Sequence, residues 1–426
     1  MTIVHHEGIR RRQKPHYTSQ DILELRAFLS QSGTFHFTPL ATGLFPAAAV
    51  DARTIPHSGY DNVWVRDNVY VALAHMAGDR WPVAVTVATV LATYFDKHRH
   101  RFCDVITGHA DPHDPMNRPQ VRFNGKTLSE RTVRWSHAQN DALGYFLFLY
   151  CRVAITGRLR PDGELLALFV LFFEAIRYWE DPDNGHWEET RKVEASSIGV
   201  VVAGLRQVRA LLATFPTMEC RWQTSRVSTG RLDELIEQGE AALGSILPAE
   251  SITPGSARRY DSALLFLLYP LDVVDGPMAR QIFDDVSDHL LGDYGIRRYL
   301  GDSYWTADYK DKVAPQDRTA DVSEHQQQRD ALARPGEEAQ WCIFDPIMSI
   351  IAGRFYGQSG DPVDRDRQVF HLNRALGQIT GPDCPLGELR CPEAYFKEQG
   401  RYVPNDHVPL LWTQANLWLA LVAMGP

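Results

Sequence analysis

Apolar residues recur at helical spacing along most of the chain. They mark segments near 19–30, 67–77, 82–95, 138–155, 163–179, 194–212, 231–246, 260–269, 279–290, 343–354, 367–379 and 409–424. Alternation at the period of a strand is almost absent; TGLFPAAAV from residue 42 and IRRYL from residue 296 come nearest, and both are short. Twelve helices without a sheet can bury one core as a solenoid of hairpins, a bundle assembly, or a closed toroid of six inner and six outer helices. No fixed period or repeated motif runs through the sequence, which argues against the solenoid. The all-α (α/α)6 barrel also accounts for the long connections at 97–136, 214–230, 292–341 and 380–408. These are rich in Trp, Tyr, Arg, Asp, His and Glu, as loops lining one rim would be. Residues 306–340 are charged, glutamine-rich and poor in apolar positions, and read as a surface excursion or mobile lid. They are expected as an insertion in a single domain spanning 1–426, with an N-terminal extension at about 1–18.

The 426 residues, 44% of them apolar, suffice for a large core. A formal charge of -9 and the lack of a basic-aromatic stripe argue against nucleic acid and anionic membrane as partners. The first twenty residues carry a basic patch with no apolar run behind it, so neither a signal peptide nor a spanning helix is read there, and a cytoplasmic address is expected. Six cysteines show no CxxC or finger spacing. Cys151 and Cys342 read as buried thiols, while Cys384 and Cys391 are near enough in a Pro/Gly-rich loop to bridge. Neither HExxH, a His/Asp facial cluster, a dinucleotide fingerprint nor a P-loop occurs, so no metal and no cofactor is expected. DPVDRDR at 361–367 lacks the Gly and terminal Glu of a calcium loop and reads as a solvated turn.

Polar and aromatic islands stand at the mouths of the core helices. YDNVWVRDNVY brings Tyr60, Trp64, Arg66 and Asp67 to one of them. Asp67 could cap that helix, but a cap leaves the other three unexplained. An indole and a phenol beside a charged, multiply hydrogen-bonding pair suit a pyranose, whose faces are weakly apolar and whose rim is hydroxyls. A second mouth, WSHAQNDALGYF, carries Trp135, His137, Gln139, Asn140 and Asp141; two mouths decorated alike suggest one cleft, with Asp141 among its substrate-binding residues. DNGHWEE is a turn leading to Trp187, Glu188 and Glu189, adjacent carboxylates of which only one can face a given ligand. A Glu beside Trp and near a second acid holds its proton more tightly, as a general acid must. Glu194 reads as a helix cap. RRYLGDSYW supplies Arg297, Arg298, Tyr304 and Trp305, with the choice between the arginines open; EEAQWCIFDPI supplies Trp341. CPEAYF sets Glu393 in a loop, and Asp406 and His407 precede the last helix. Two Glu-bearing loops on one rim are the minimum for cleaving a glycosidic bond: one acid protonates the leaving oxygen, the other activates water or attacks carbon.

In this order, from about residue 35 to the C-terminus, these islands resemble the glucoamylase-like enzymes of glycoside hydrolase family 15. The first and last also resemble the glucoamylase-like domain of phosphorylase kinase regulatory subunits. The resemblance implies a six-hairpin helical toroid and inverting, exo-acting hydrolysis that releases β-glucose from a non-reducing end. It implies Glu188 as general acid and Glu393 as general base, with Tyr60, Trp64, Arg66 and Asp67 clamping the terminal glucose. Trp187, Glu189, Arg298 and Trp341 match residues around the first two sugar subsites, and Trp135 matches an aromatic of the pocket wall. Inversion calls for carboxyls about 6.5–9.5 Å apart. The chain has no room for the β-sandwich or starch-binding module that relatives carry, so the expected partner is a short soluble oligosaccharide such as isomaltose. A monomer or weak homo-oligomer is expected. The second resemblance leaves open a pocket that binds sugar, or a partner, without turnover.

Overall fold

The computed structural model describes residues 3–48 and 59–425. Its longer helices are α1 (Ser19–Gln31), α2 (Val65–Ala77), α3 (Trp81–Lys97), α4 (Asn140–Ile155), α5 (Gly163–Ala175), α6 (Ala195–Thr214), α7 (Thr229–Ile246), α8 (Gly276–His289), α9 (Phe344–Ser359), α10 (Pro362–Gly377) and α11 (Leu411–Ala423). A 3-10 helix, Ser262–Leu267, stands between α7 and α8. α2 packs on α4, α4 on α6, α6 on the 3-10 helix, that helix on α9, α9 on α11, and α11 back on α2, which closes an inner ring. The remaining helices pack outside it, giving the all-α toroid.

The two rings differ in sequence for a physical reason. An inner helix meets neighbours on every side, so α4 is apolar all round and buries every residue but Arg152 and Ile155. The outer helix α7 buries one stripe, Leu232, Leu235, Ile236, Gly239, Leu243 and Ile246, whereas α5, also outside the ring, is buried without a break from Leu165 to Phe173. At the tightest inner contact, a Cβ on Gly144 would lie 2.8 Å from the Val200 carbonyl, so glycine lets the α4 and α6 backbones meet. By length and composition α6 could cross a membrane, but 61% of that window is buried inside the protein.

The helix starts differ as well. Thr18, Asp162, Ser228 and Asp361 cap outer helices through their side chains. Trp64, Gln139, Glu194, Ile343 and Leu410, which precede the inner α-helices, make no such bond. Distant loops take those amides instead: Asn140 N donates to Asp183 Oδ2 (2.9 Å), Ser196 N to Glu250 Oε2 (3.2 Å) and Leu411 N to the Ala47 carbonyl (3.0 Å). Glu194 therefore occupies the N-cap position without capping; its carboxylate pairs with Lys192.

Several segments differ from the sequence reading. The helix expected over 260–269 is a 3-10 turn, because Pro270 disfavours helical backbone at Tyr269. DPVDRDR is no turn: Asp361 Oδ1 accepts from Val363 N (3.0 Å) and Pro362 opens α10. Within the loop expected over 380–408, β2 (Ala394–Glu398) and β3 (Arg401–Pro404) form a hairpin, with β1 (Gln340–Trp341) on its other edge. Gln399 (φ 47°) and Gly400 (φ 79°) make the left-handed two-residue turn that matches strand twist. Of the two strand-like stretches, IRRYL contributes Ile296, bridged to Trp341, and TGLFPAAAV contributes Ala48, bridged to Leu410. Its Ala49 and Val50, like His57 and Ser58 ahead of Tyr60, lie outside the described residues. In the N-terminal segment, Gln13 and Tyr17 bond Asn373 of α10 (2.6 and 2.7 Å). Cys384 and Cys391 are unpaired.

Candidate active site

Residues at the starts of α2 and α11, and in the loops that lead into α4, α6 and α9, line one cavity of about 880 Å³, open solvent at its mouth included.

Arg66, in the first turn of α2, is buried at its base. Its Nη1 bonds Asp141 and lies 3.4 Å from Gln139 Oε1, while Nη2 donates to the His186 carbonyl (2.9 Å) and lies 3.7 Å from Glu188 Oε1. Asp141 has no exposed surface and stands behind Arg66, outside the cavity lining. Instead of reaching ligand, it anchors the guanidinium from the first turn of α4. Asp67 does line the cavity. Burial pushes its pKa up to about 7 against the pull of Arg66, with the charges of Glu188 and Glu393 adding to the rise.

Glu188 comes from a turn that only glycine allows. Gly185 has φ 56°, and a Cβ there would fall 1.4 Å from Glu194 Oε2. Glu188 itself is left-handed, at φ 61°, a backbone state that clusters at functional sites. Its Oε1 accepts from Trp64 Nε1 (2.8 Å), and its side chain keeps 20% of its surface exposed. Burial raises its pKa, and Arg66, Arg122 and the Trp64 bond oppose the rise without cancelling it. Glu189 turns into different company. Arg258 donates to it (2.8 Å), as does the Tyr299 hydroxyl, and Lys192 and Arg298 stand 3.6 and 4.0 Å away. Although burial alone would raise its pKa, Arg258, Lys192, Arg298 and Tyr299 bring it down to about 2.

Glu393 immediately precedes β2, and the hairpin folds residues 405–407 back upon it. Its Oε1 accepts from the Tyr60 hydroxyl (2.7 Å), and its Oε2 accepts from Asn405 Nδ2 (2.5 Å) and His407 Nδ1 (2.7 Å). Burial favours the neutral acid, but His407, Tyr60 and Asn405 outweigh it and hold the pKa below the ordinary glutamate range. His407 stacks on Tyr60 with ring centroids 3.6 Å apart, and Tyr60 lies 5.3 Å from the Trp64 ring. Two aromatic side chains thus link Glu393 to Glu188.

Aromatic rings make the walls. Arg298 is fixed by two 2.6 Å bonds to Asp302 and lies 4.7 Å from the Trp341 ring, 5.1 Å from Trp187 and 5.2 Å from Tyr304. Arg297 turns away to the Leu291 carbonyl (3.0 Å), which resolves the choice between the two arginines. Trp187 Nε1 donates to Asp261 Oδ1 (2.9 Å), and Trp135 clusters with Trp64 beneath the Arg122 guanidinium. Sequence reasoning missed Asn405, Tyr299, Arg258, Asp302 and Asp261, and gave His407 and Tyr304 no role. The Gln399–Gly400 turn was the available signal for Asn405 and His407; no motif marked the others. Residues 306–340, read from the sequence as a surface excursion or mobile lid, contribute Thr319, Ala320, Asp321 and Val322 to the cavity lining.

Fold and site together define a helical toroid with an acidic, aromatic-walled cavity at the inner-helix mouths. Residues 30–378 match the glycosyl hydrolases family 15, and the chain belongs to that family. It is 28% identical over 407 residues to a Probable phosphorylase b kinase regulatory subunit alpha of Caenorhabditis elegans, covering 87% of this chain and 31% of the relative. Its Drosophila melanogaster counterpart is 25% identical over 298 residues, 62% of this chain and 22% of that one. The chain therefore spans less than a third of the length of these relatives. Among solved structures, a wild-type glycosidase superposes with a TM-score of 0.65 at 16% identity, covering 96% of this chain and all of the other. A glucoamylase of Saccharomycopsis fibuligera superposes with a TM-score of 0.59 at 13% identity, covering 94% and 95%. At these identities the likeness is one of fold.

Proposed function

We propose that the protein is an exo-acting, inverting α-glucosidase that releases β-glucose from the non-reducing ends of short soluble α-glucosides, isomaltose or isomalto- and malto-oligosaccharides. The observation that carries this reading is the pair of glutamates on one cavity, Glu393 buried and Glu188 partly exposed, whose surroundings drive their pKa values apart, Glu188 upward and Glu393 downward. Protonated Glu188 gives its proton to the glycosidic oxygen as the bond to C1 breaks. Ionised Glu393 takes a proton from the water that attacks C1 from the opposite face, over an expected carboxyl separation of about 6.5–9.5 Å. The Trp64 indole N–H then stabilises the Glu188 anion left behind. Arg66 and Asp67 at the base hold hydroxyls of the terminal glucose, and Tyr60 and Trp64 frame its face. Glu189, kept ionised by its cations, accepts from sugar hydroxyls beside Arg298, Trp187 and Trp341, with Trp135 on the opposite wall.

Glu188→Gln and Glu393→Gln should each remove most turnover while sparing sugar binding, because each group acts chiefly at the transition state. Anomeric NMR should show β-glucose as the first product. Near-normal turnover in either variant, or α-glucose appearing first, overturns the reading. The likeness to kinase regulatory subunits favours a second reading, a glucoside-binding domain without turnover; it predicts sugar binding and no glucose release.

A further inference from the structure

One bank of the cavity belongs to none of the ring helices or their mouths. It is formed by Thr319, Ala320, Asp321, Val322, Gln326 and Arg329 of the insertion. The segment is fastened on both sides. Toward Glu188, the Ser136 hydroxyl donates to Asp321 Oδ1 (2.8 Å), the Thr190 hydroxyl donates to the Ser323 carbonyl (2.9 Å), and Arg134 pairs with Glu324. Toward the other bank, Ser303 donates to Asp330 Oδ1 (3.2 Å) and the Tyr309 hydroxyl to the Arg318 carbonyl (2.9 Å). Arg329 donates to the Asp317 carbonyl (2.8 Å), with its guanidinium 6.0 Å from the Tyr304 ring. The same Ser136 hydroxyl lies 3.2 Å from the Glu188 carbonyl oxygen. The strap is therefore anchored at the loop of the acid that protonates the leaving oxygen, on the side where the departing sugar must sit.

Resting on the glucosidase reading and narrowing its substrates to disaccharides, we propose that residues 319–329 are the binding wall for the departing sugar and limit the site to one sugar beyond the scissile bond. Asp321 and Arg329 supply an acceptor and a donor fork to its hydroxyls, the complementary pair that a sugar rim needs. A strap pinned across the cavity obstructs the path along which a longer chain would continue. A disaccharide fits beneath it; a heptasaccharide has to displace it.

Calorimetric binding to the Glu188→Gln chain separates this inference from the hydrolase reading. That chain should bind its preferred disaccharide, maltose or isomaltose, about tenfold or more tightly than maltoheptaose. Asp321→Ala in the same background should lower the ratio of disaccharide to glucose affinity by about tenfold. Replacing 316–335 with a short Gly-Ser linker should bring maltoheptaose to within about threefold of the disaccharide. Equal affinity for both lengths in the intact chain overturns the strap, as does an Asp321→Ala effect that falls equally on glucose and disaccharide. If sugars bind in the expected pattern while the unsubstituted protein releases no glucose, the strap stands and the hydrolase reading falls. No sugar binding at all overturns both.

Discussion

His407→Phe tests how Glu393 is kept ionised. Phenylalanine retains a flat ring against Tyr60, which now lies 3.6 Å from the imidazole at an interplanar angle of 8°, so packing is largely preserved. What disappears is the 2.7 Å bond from His407 Nδ1 to Glu393 Oε2. A buried hydrogen bond to a charged group contributes about 1.5–3 kcal/mol, and 1.36 kcal/mol corresponds to one pKa unit, so Glu393 should rise by about one to two units. The general base must be ionised. Activity is therefore lost as pH falls through the Glu393 pKa, and the acid limb of kcat/KM should move up by that amount while the alkaline limb stays. Folding stability follows the same sign. A carboxylate with a depressed folded pKa contributes stability above its unfolded pKa and loses it as pH falls through the folded value, so the variant should begin to unfold at a higher pH on acidification. A pH profile of kcat/KM on maltose and isomaltose, paired with an acid-unfolding curve, reads both effects. An acid limb that does not move, or moves down, refutes the reasoning.

Trp64→Phe removes the indole N–H that favours ionised Glu188, so the Glu188 pKa should rise and the alkaline limb of the profile should extend upward by about one unit, measured on the same substrates. Gly185→Ala combines a left-handed backbone with a Cβ that overlaps the Glu194 carboxylate. It should cost about 1–3 kcal/mol in urea unfolding and lower kcat more than it changes KM, because the displaced turn carries Glu188. Gly144→Ala pushes a methyl against the Val200 backbone across the α4–α6 contact. It should cost about 1–3 kcal/mol in stability with the pH profile unmoved.

The toroid was legible because apolar positions mark twelve helices without a sheet, no repeat runs through them, and the long loops between them carry the polar and aromatic residues of one rim. Helix ends were less legible. Asp361 was read into a solvated turn although Asp followed by Pro is a good opening for α10, and the 3-10 helix at 262–267 has the apolar content of a helix without its length. At the site, sequence reasoning found residues that face the cavity and missed those that hold them. Glu188 and Glu189 are adjacent, yet their titration differs because Arg258, Lys192, Arg298 and Tyr299 converge on only one of them, from positions that no local pattern connects. Asp141 shows the converse: it sits at a helix mouth like Asp67, but faces the back of Arg66. For the insertion, polar composition reports solvation of most of its side chains and says nothing of Ser136, Thr190 and Ser303, which tie it down.

The starts of the inner helices carry a cost for anyone who would stabilise this protein by engineering. On the periphery, a better opening residue affects its own helix and little else. In the central ring the amides are held by distant segments, as by Asp183, two residues ahead of Gly185 in the loop that carries Glu188, and by Ala47, which lines the cavity. Supplying those helices with self-sufficient openings would release these segments from their posts, and heat resistance gained there would be traded against turnover.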